Sequence, residues 1–245
     1  MADGSRGELV RQIQDALEAQ GVMLETEVWR GLEVYERRLV ERNREVNLTA
    51  VTDAEGVYWK HFYDSLVVLG LPEVPQAGFL VDVGSGAGFP GLVLALARPG
   101  FSVSLLDALR KRVWFLEEVR GELGLTRVRV VHGRAEEYGR RPGWRESFDM
   151  ATARAVAQMS VLAELLLPFV RVGGMAMAWK GPDVEEELEG ARGAIRRLGG
   201  EVEAVHRYEL PYGMGGRSVV IVRKISATPT EYPRRPGVPE KRPLT

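Results

Sequence analysis

Apolar residues recur at helical spacing through the first third of the chain and then gather into short runs separated by helical stretches, a change of period that sets the expected architecture. Leu9, Ile13 and Leu17, then Val28, Leu32, Tyr35 and Leu39, stand three or four positions apart with charges between them, as on two amphipathic helices; Glu25 or Thr26 offers a start for the second. A third helix is predicted over 54–69, where Tyr58, His61, Phe62 and Ser65 share one mixed aromatic and polar face. Beyond residue 78, strands are predicted over 79–83, 102–106, 128–131, 148–152 and 174–179, with helices over 91–97, 110–121 and 184–198, the last stopped by Gly199 and Gly200. Such alternation implies an α/β fold with a parallel sheet covered by helices on both faces. Two consecutive strands, 201–210 and 217–224, close the pattern. We therefore expect an N-terminal helical region (1–77), a sheet domain (78–226) and a basic, Pro-rich C-terminal tail (227–245).

The strand Phe79-Leu80-Val81-Asp82-Val83 runs directly into Gly84-Ser85-Gly86-Ala87-Gly88-Phe89-Pro90-Gly91 and a helix. Glycines so spaced let the backbone turn sharply and approach a ligand, while the helix N-terminus presents unpaired N–H groups. Gly86, Gly88 and Gly91 satisfy the G-x-G-x-x-G of dinucleotide sites. Asp82 and the spacing of Gly84, Gly86 and Gly88 instead resemble the first motif of class I S-adenosylmethionine (SAM) methyltransferases. A carboxylate here suits a ligand carrying ammonium and sulfonium charges, and beside a pyrophosphate it would cost Coulomb energy. A purely structural turn is the third reading. Asp107, ending the second strand, is placed to accept hydrogen bonds from both hydroxyls of a ribose, which SAM and NAD share.

Composition narrows the chemistry. The chain has 245 residues and a formal net charge of −1, and of its 33 basic residues 28 are Arg and five are Lys. That bias favours the side chain that pairs bidentately with phosphate and stacks on bases, although a GC-rich genome or a heat-adapted source would produce it too. The absence of Cys excludes disulfides, thiolate metal sites and Cys nucleophiles, and the three His lack ligand-like spacing, so no metal is expected. No run approaches the roughly 20 apolar residues needed to span a bilayer, and no leader pattern opens the chain; a cytoplasmic protein is expected.

Further blocks extend the pattern: Asn47-Leu48-Thr49, His61-Phe62-Tyr63-Asp64-Ser65, Leu106-Asp107-Ala108-Leu109-Arg110-Lys111-Arg112, Arg134-Ala135-Glu136, Ala153-Arg154-Ala155 and Lys180-Gly181. Together with the glycine turn, and in this order, they resemble the RsmG (GidB) family of small-subunit rRNA guanine-N7 methyltransferases. The resemblance implies a class I SAM-dependent methyltransferase (Rossmann-like) fold, a seven-stranded sheet whose last strand inserts antiparallel. It further implies that Asp82, Gly84, Ser85, Gly86, Phe89, Asp107, Ala135, Glu136 and Arg154 surround SAM, with Ala135 and Glu136 against the adenine. The implied reaction is methyl transfer to N7 of a guanosine in the 530 loop of 16S rRNA, within a small ribosomal subunit particle, by a monomer. N7 of guanine has an in-plane lone pair and no proton, so no general base is required.

Arg154 and Lys180, ending the fourth and fifth strands, are the candidates for organising the target base, either of them by donating to guanine O6. For Arg154 the alternative is an ion pair with Asp82 or Glu136 that shapes the cofactor pocket. His61 reads as a hydrogen-bonded packing residue, and Glu137 as an acid favoured in a first helical turn. Arg110, Lys111, Arg112, Arg223 and Lys224, with Arg234, Arg235, Lys241 and Arg242 on an extended tail, are candidates for gripping RNA phosphates. Three other classes stay open on the residues alone: a nicotinamide oxidoreductase, a non-catalytic SAM-binding regulator and a methyltransferase with another acceptor.

Overall fold

The structure is a computed structural model and describes residues 3–154 and 157–245. Two amphipathic helices open it, α1 (Asp3–Glu18) and α2 (Thr26–Val46). The predicted third helix is interrupted: α3 (Ala54–Gly56) widens into a π-helical stretch, Val57–Tyr63, narrows to α4 (Asp64–Leu66) and ends in a 3₁₀ turn, Val67–Gly70. Helical spacing of side chains says nothing about which carbonyls leave the helix ladder, so this departure was invisible in the sequence. Here the Lys60 and His61 carbonyls turn toward Arg154, 3.3 and 3.4 Å from its guanidinium, and wide turns of this kind collect at functional sites.

The alternating half follows as β1 (Gly78–Val83), α5 (Gly91–Ala97), β2 (Phe101–Asp107), α6 (Arg110–Glu122), β3 (Val128–His132), α7 (Ala135–Tyr138), β4 (Phe148–Arg154), α8 (Met159–Leu166), β5 (Val170–Lys180), α9 (Glu185–Arg197), β6 (Gly200–Leu210) and β7 (Gly215–Lys224). The seven strands form one sheet in the order β3-β2-β1-β4-β5-β7-β6. β1 to β5 pair in parallel, and β7 inserts antiparallel between β5 and β6, as expected for the class I methyltransferase arrangement. Helix α8 was not foreseen: seven of its eight residues are buried, so no polar face marks its period.

Alternation along the strands divides the apolar residues between two cores. Leu80, Val103 and Leu105 face one side, where Leu9, Leu17, Leu32, Leu39, Leu92 and Leu116 meet them. Val81, Val83 and Leu106 face the other, packed with Leu162 and Leu166 of α8 and Ala194 and Ile195 of α9. The helical region thus shares a core with the sheet. Tyr35 of α2 reaches furthest, donating from its hydroxyl to the Ala87 carbonyl in the glycine turn and stacking on Phe89 at 5.3 Å.

The tail corrects an expectation. Rather than standing extended, it lies against the sheet domain and ends in α10 (Val238–Lys241), with Arg235, Lys241 and Arg242 exposed. Its carbonyls are claimed by arginines: Arg145 donates to Thr228, Pro229 and Tyr232, and Arg140 to Pro233. Arg234 is spent on Glu164, and Leu244 is buried in the second core. Proline favours an extended backbone, but it also leaves carbonyls free for partners that composition does not reveal. Lys224 is likewise withdrawn: fully buried, it donates to the Leu167 carbonyl at 2.7 Å and pairs with Glu146 at 3.1 Å. Arg223 pairs with Glu203.

Candidate active site

The carboxyl ends of β1, β2, β4 and β5 meet the glycine turn and the π-helical stretch, and three adjoining clefts open there. The first, with a volume of about 160 Å³, is lined by Gly84, Ala108, Ala135, Glu136, Pro239 and Glu240 among others. The second is about 370 Å³, shares Gly84 with the first and adds Ser85, Gly86, Phe89, Arg112 and Thr49. The third, about 420 Å³, shares His61 and Arg154 with the second and adds Lys60, Asp64, Trp179, Lys180 and Arg217. Sequence reasoning placed Gly84, Ser85, Gly86, Phe89, Asp107, Ala135, Glu136, Arg154 and Lys180 together, and the fold brings them to this one end of the sheet.

The glycine turn is shaped from beneath. Asp82 is fully buried; one carboxylate oxygen accepts from the Gly91 amide at 3.1 Å, the other from the Thr152 hydroxyl at 2.8 Å, and Ser85 Oγ donates to its carbonyl. Like Asp107, it borders none of the three clefts with its own side chain, and its hydrogen bonds to Gly91 and Thr152 brace the turn. Burial pushes its carboxyl up to about 6 against these hydrogen bonds. Asp107 accepts from the Gly86 amide and the Leu109 amide, both at 2.8 Å. Each of its oxygens keeps a second lone pair, so ribose hydroxyls fit it chemically. Gly86 has φ +60°, and a Cβ there would meet nothing nearer than the Gly84 carbonyl at 3.8 Å, so the backbone faces open cleft. Gly88, by contrast, has φ +98° and sits under Tyr35. Glu136 is buried, and one of its oxygens accepts from the Gly237 amide at 2.9 Å.

Arg154 does not pair with Asp82 or Glu136. Its partner is Asp64, at 2.9 Å, a residue that stood in a quoted block with no role attached. Asp64 is nearly inaccessible and acts as a hub: Tyr208 donates to its other oxygen at 2.7 Å, and Trp179 Nε1 donates to its carbonyl at 2.8 Å. Burial, and then the neighbouring Asp64 carboxylate, hold the Tyr208 phenol far above its ordinary value. The Arg154 guanidinium lies 4.9 Å over the Phe89 ring, on whose face His61 also stacks at 4.4 Å. Lys180 is paired with Glu187 at 2.6 Å and donates to the Ala157 carbonyl at 3.0 Å. Ala155, from the quoted block around Arg154, lies outside the described residues.

His61 is hydrogen-bonded and packed on Phe89, and it also walls two clefts. Its Nε2 is hydrogen-bonded with Thr49 Oγ1 at 2.9 Å and its Nδ1 lies 3.1 Å from the Lys60 carbonyl. Burial, and then the Arg154 guanidinium, pull its imidazole down to about 3. An unfolded chain therefore takes up this proton below about pH 6.5 while the folded one resists it, so stability falls as pH drops from neutrality toward the folded value, by roughly 1 kcal/mol per pH unit. Thermal unfolding between pH 7 and 5 is expected to show a steeper loss for the wild type than for His61→Gln; equal slopes would remove His61 as the source.

Among the described residues there is no cluster of metal-ligating side chains and no helix long and apolar enough to cross a membrane. The phosphate-gripping candidates divide here: Arg112 lies 3.6 Å from Asp107, Lys111 donates to the Val46 carbonyl, and Arg110 is exposed at the start of α6.

Sheet order, the antiparallel insertion of β7 and a glycine-turn cleft at the strand ends define a class I SAM-dependent methyltransferase. Solved structures agree on the fold: TYW2 of M. jannaschii, crystallised in complex with AdoMet, superposes with a TM-score of 0.52 at 13% identity, covering 71% of this chain and 77% of that one. YcgJ of Bacillus subtilis gives 0.53 at 14% identity, covering 68% and 100%. The family model of rRNA small subunit methyltransferase G (GidB) matches residues 29–212, and the chain belongs to that family. Proteins named ribosomal RNA small subunit methyltransferase G are 45% identical in Geobacillus sp. (strain WCH70), covering 95% of this chain and 98% of that one, and 41% identical in Bacillus subtilis (strain 168), covering 96% and 98%. The relative from Lactobacillus delbrueckii subsp. bulgaricus is 50% identical over 86% of this chain and 89% of its own.

Proposed function

We propose that this chain transfers a methyl group from SAM to N7 of a guanosine in the 530 loop of 16S rRNA, acting as a cytoplasmic monomer on a small ribosomal subunit particle. The observation that carries this reading is the row of three adjoining clefts, joined first through Gly84 and then through His61 and Arg154. Its family, named for small-subunit rRNA methylation, supplies the acceptor class. Residues 133–136 border a cavity suited to adenine, Asp107 has lone pairs for a ribose, and Gly84, Ser85 and Gly86 offer bare backbone to the rest of the cofactor. When bound, SAM supplies an electrophilic methyl group on a sulfonium.

The protein's own task is positioning. Arg154, fixed by Asp64 and stacked over Phe89, forms the partition between the cofactor and acceptor clefts. Lys180, held by Glu187, presents an ammonium at the acceptor side, where it and Arg154 can orient guanine through O6 and leave N7 free. A neutral His61 adds no charge at the partition, and N7, having no proton, requires no base to remove one. Holding the reacting atoms in line at ~3 Å can supply several kcal/mol of the barrier.

The reading is tested by supplying labelled SAM to small-subunit particles and naked rRNA from a strain lacking the modification, then cleaving with borohydride and aniline, which cut at N7-methylguanosine. One cut in the 530 loop of the particle RNA is expected. Incorporation without a cut would overturn the N7 assignment, and no incorporation into either RNA would overturn the acceptor.

A further inference from the structure

The C-terminal segment was expected to serve RNA, yet its contacts lead to the cofactor end of the sheet. Glu164 of α8 is fully buried and takes four hydrogen bonds from Arg234 alone: from its amide at 2.7 Å, twice from Nε, and from the terminal nitrogen at 2.6 Å. Three residues on, the Gly237 amide donates to Glu136, and next to it Pro239 and Glu240 border the same cavity as Gly84 and Ala135. Arg140 and Arg145 fasten the chain that leads there. A buried carboxylate matched by one bidentate arginine is a poor place for solvated RNA contact and a firm anchor for a strap.

We propose that residues 234–240 form a working wall of the adenosine cleft, docked by Arg234 on Glu164 and by Gly237 on Glu136, so that strap docking and SAM binding reinforce each other. Arg234 is then a positioning residue, since it touches Glu164 and places the wall without lining the cavity. Glu136 has two duties, because the oxygen it gives to Gly237 fixes its carboxylate beside Ala135 while the other stays free for the exocyclic amine of adenine. Glu240 adds a second carboxylate to that wall. Whatever binds only the docked form must stabilise it, and docking must raise affinity by the same factor.

This inference rests on the first cleft being the adenosine site, and the experiment separates the two. In the full-length protein, amide hydrogen exchange across 234–241 is followed with and without saturating SAM, and SAM affinity is measured calorimetrically for wild type, Glu240→Ala, Arg234→Lys and the paired replacement Arg234→Met with Glu164→Leu, which leaves no buried carboxylate unpaired. We expect SAM to slow exchange at Gly237 and Lys241 tenfold or more. The paired variant should raise the Kd for SAM at least tenfold and Glu240→Ala three- to tenfold, with Arg234→Lys in between and the salt slope of rRNA binding unchanged in all. SAM binding to wild type with unaltered strap exchange, or a Kd within twofold in variants that remain folded, would overturn the strap proposal and leave the cofactor site standing. A fall in the salt slope on strap replacement at unchanged Kd would overturn it in favour of RNA contact. No SAM binding by wild type would remove the cofactor reading itself.

Discussion

Replacing Asp64 by alanine is expected to cost about 3–5 kcal/mol of stability, because the Arg154 guanidinium, 12% exposed, would be left buried without its counter-charge. The Tyr208 hydroxyl would lose its acceptor as well. For a chain of this size such a loss lowers the unfolding midpoint by roughly 6–20 °C. Asp64→Asn separates structure from chemistry. The amide can still accept from Tyr208 and keeps the side-chain volume, so the fold should lose less, whereas the partition between the two clefts loses its fixed guanidinium. We expect methyl transfer to fall at least tenfold in Asp64→Asn with SAM affinity changed less than turnover. Unaltered transfer in this variant would show that Arg154 needs no fixed partner to do its work.

Alanine at Gly88 and at Gly86 should fail for different reasons. At Gly88 a Cβ would stand 2.3 Å from the Tyr35 hydroxyl and 3.0 Å from Leu116 Cδ2, at φ +98°. Overpacking and left-handed strain together are expected to cost about 2–4 kcal/mol. At Gly86, where φ is +60° and the space is open, strain alone of about 1 kcal/mol remains. The added methyl would instead occupy the cleft, so Gly86→Ala should bind SAM at least tenfold more weakly while its unfolding midpoint moves only a few degrees. Thermal unfolding and calorimetric titration on both variants decide the matter. Wild-type SAM affinity in Gly86→Ala would mean that this turn is not where the cofactor sits.

The strands and the glycine turn could be read from sequence because each rests on local chemistry: short apolar runs, glycines after β1, an acid at the end of β2; the antiparallel insertion came only from the family resemblance. What escaped depends on distant pairing. The third cleft is built on Asp64, whose partners Arg154, Trp179 and Tyr208 are 90, 115 and 144 positions away, and a single sequence holds no trace of those pairings. Arg154 and Lys180 do end β4 and β5, but their partners Asp64 and Glu187 were not legible. Arg234 in the basic tail shows the same limit, since it looks free until Glu164, 70 positions earlier, is seen beneath it.

The two cores also order events in time. Core residues begin at Leu9, and both cores take residues of β7, Val219 and Ile221 on one face and Val220 and Val222 on the other, the second adding Leu244. During synthesis the apolar stripes of α1 and α2 leave the ribosome before the π-helical stretch, α5 and α6 against which they pack. A growing chain of this protein therefore carries uncovered hydrophobic helices until α6 has followed them, and the sheet itself waits for β7, which must insert between β5 and β6.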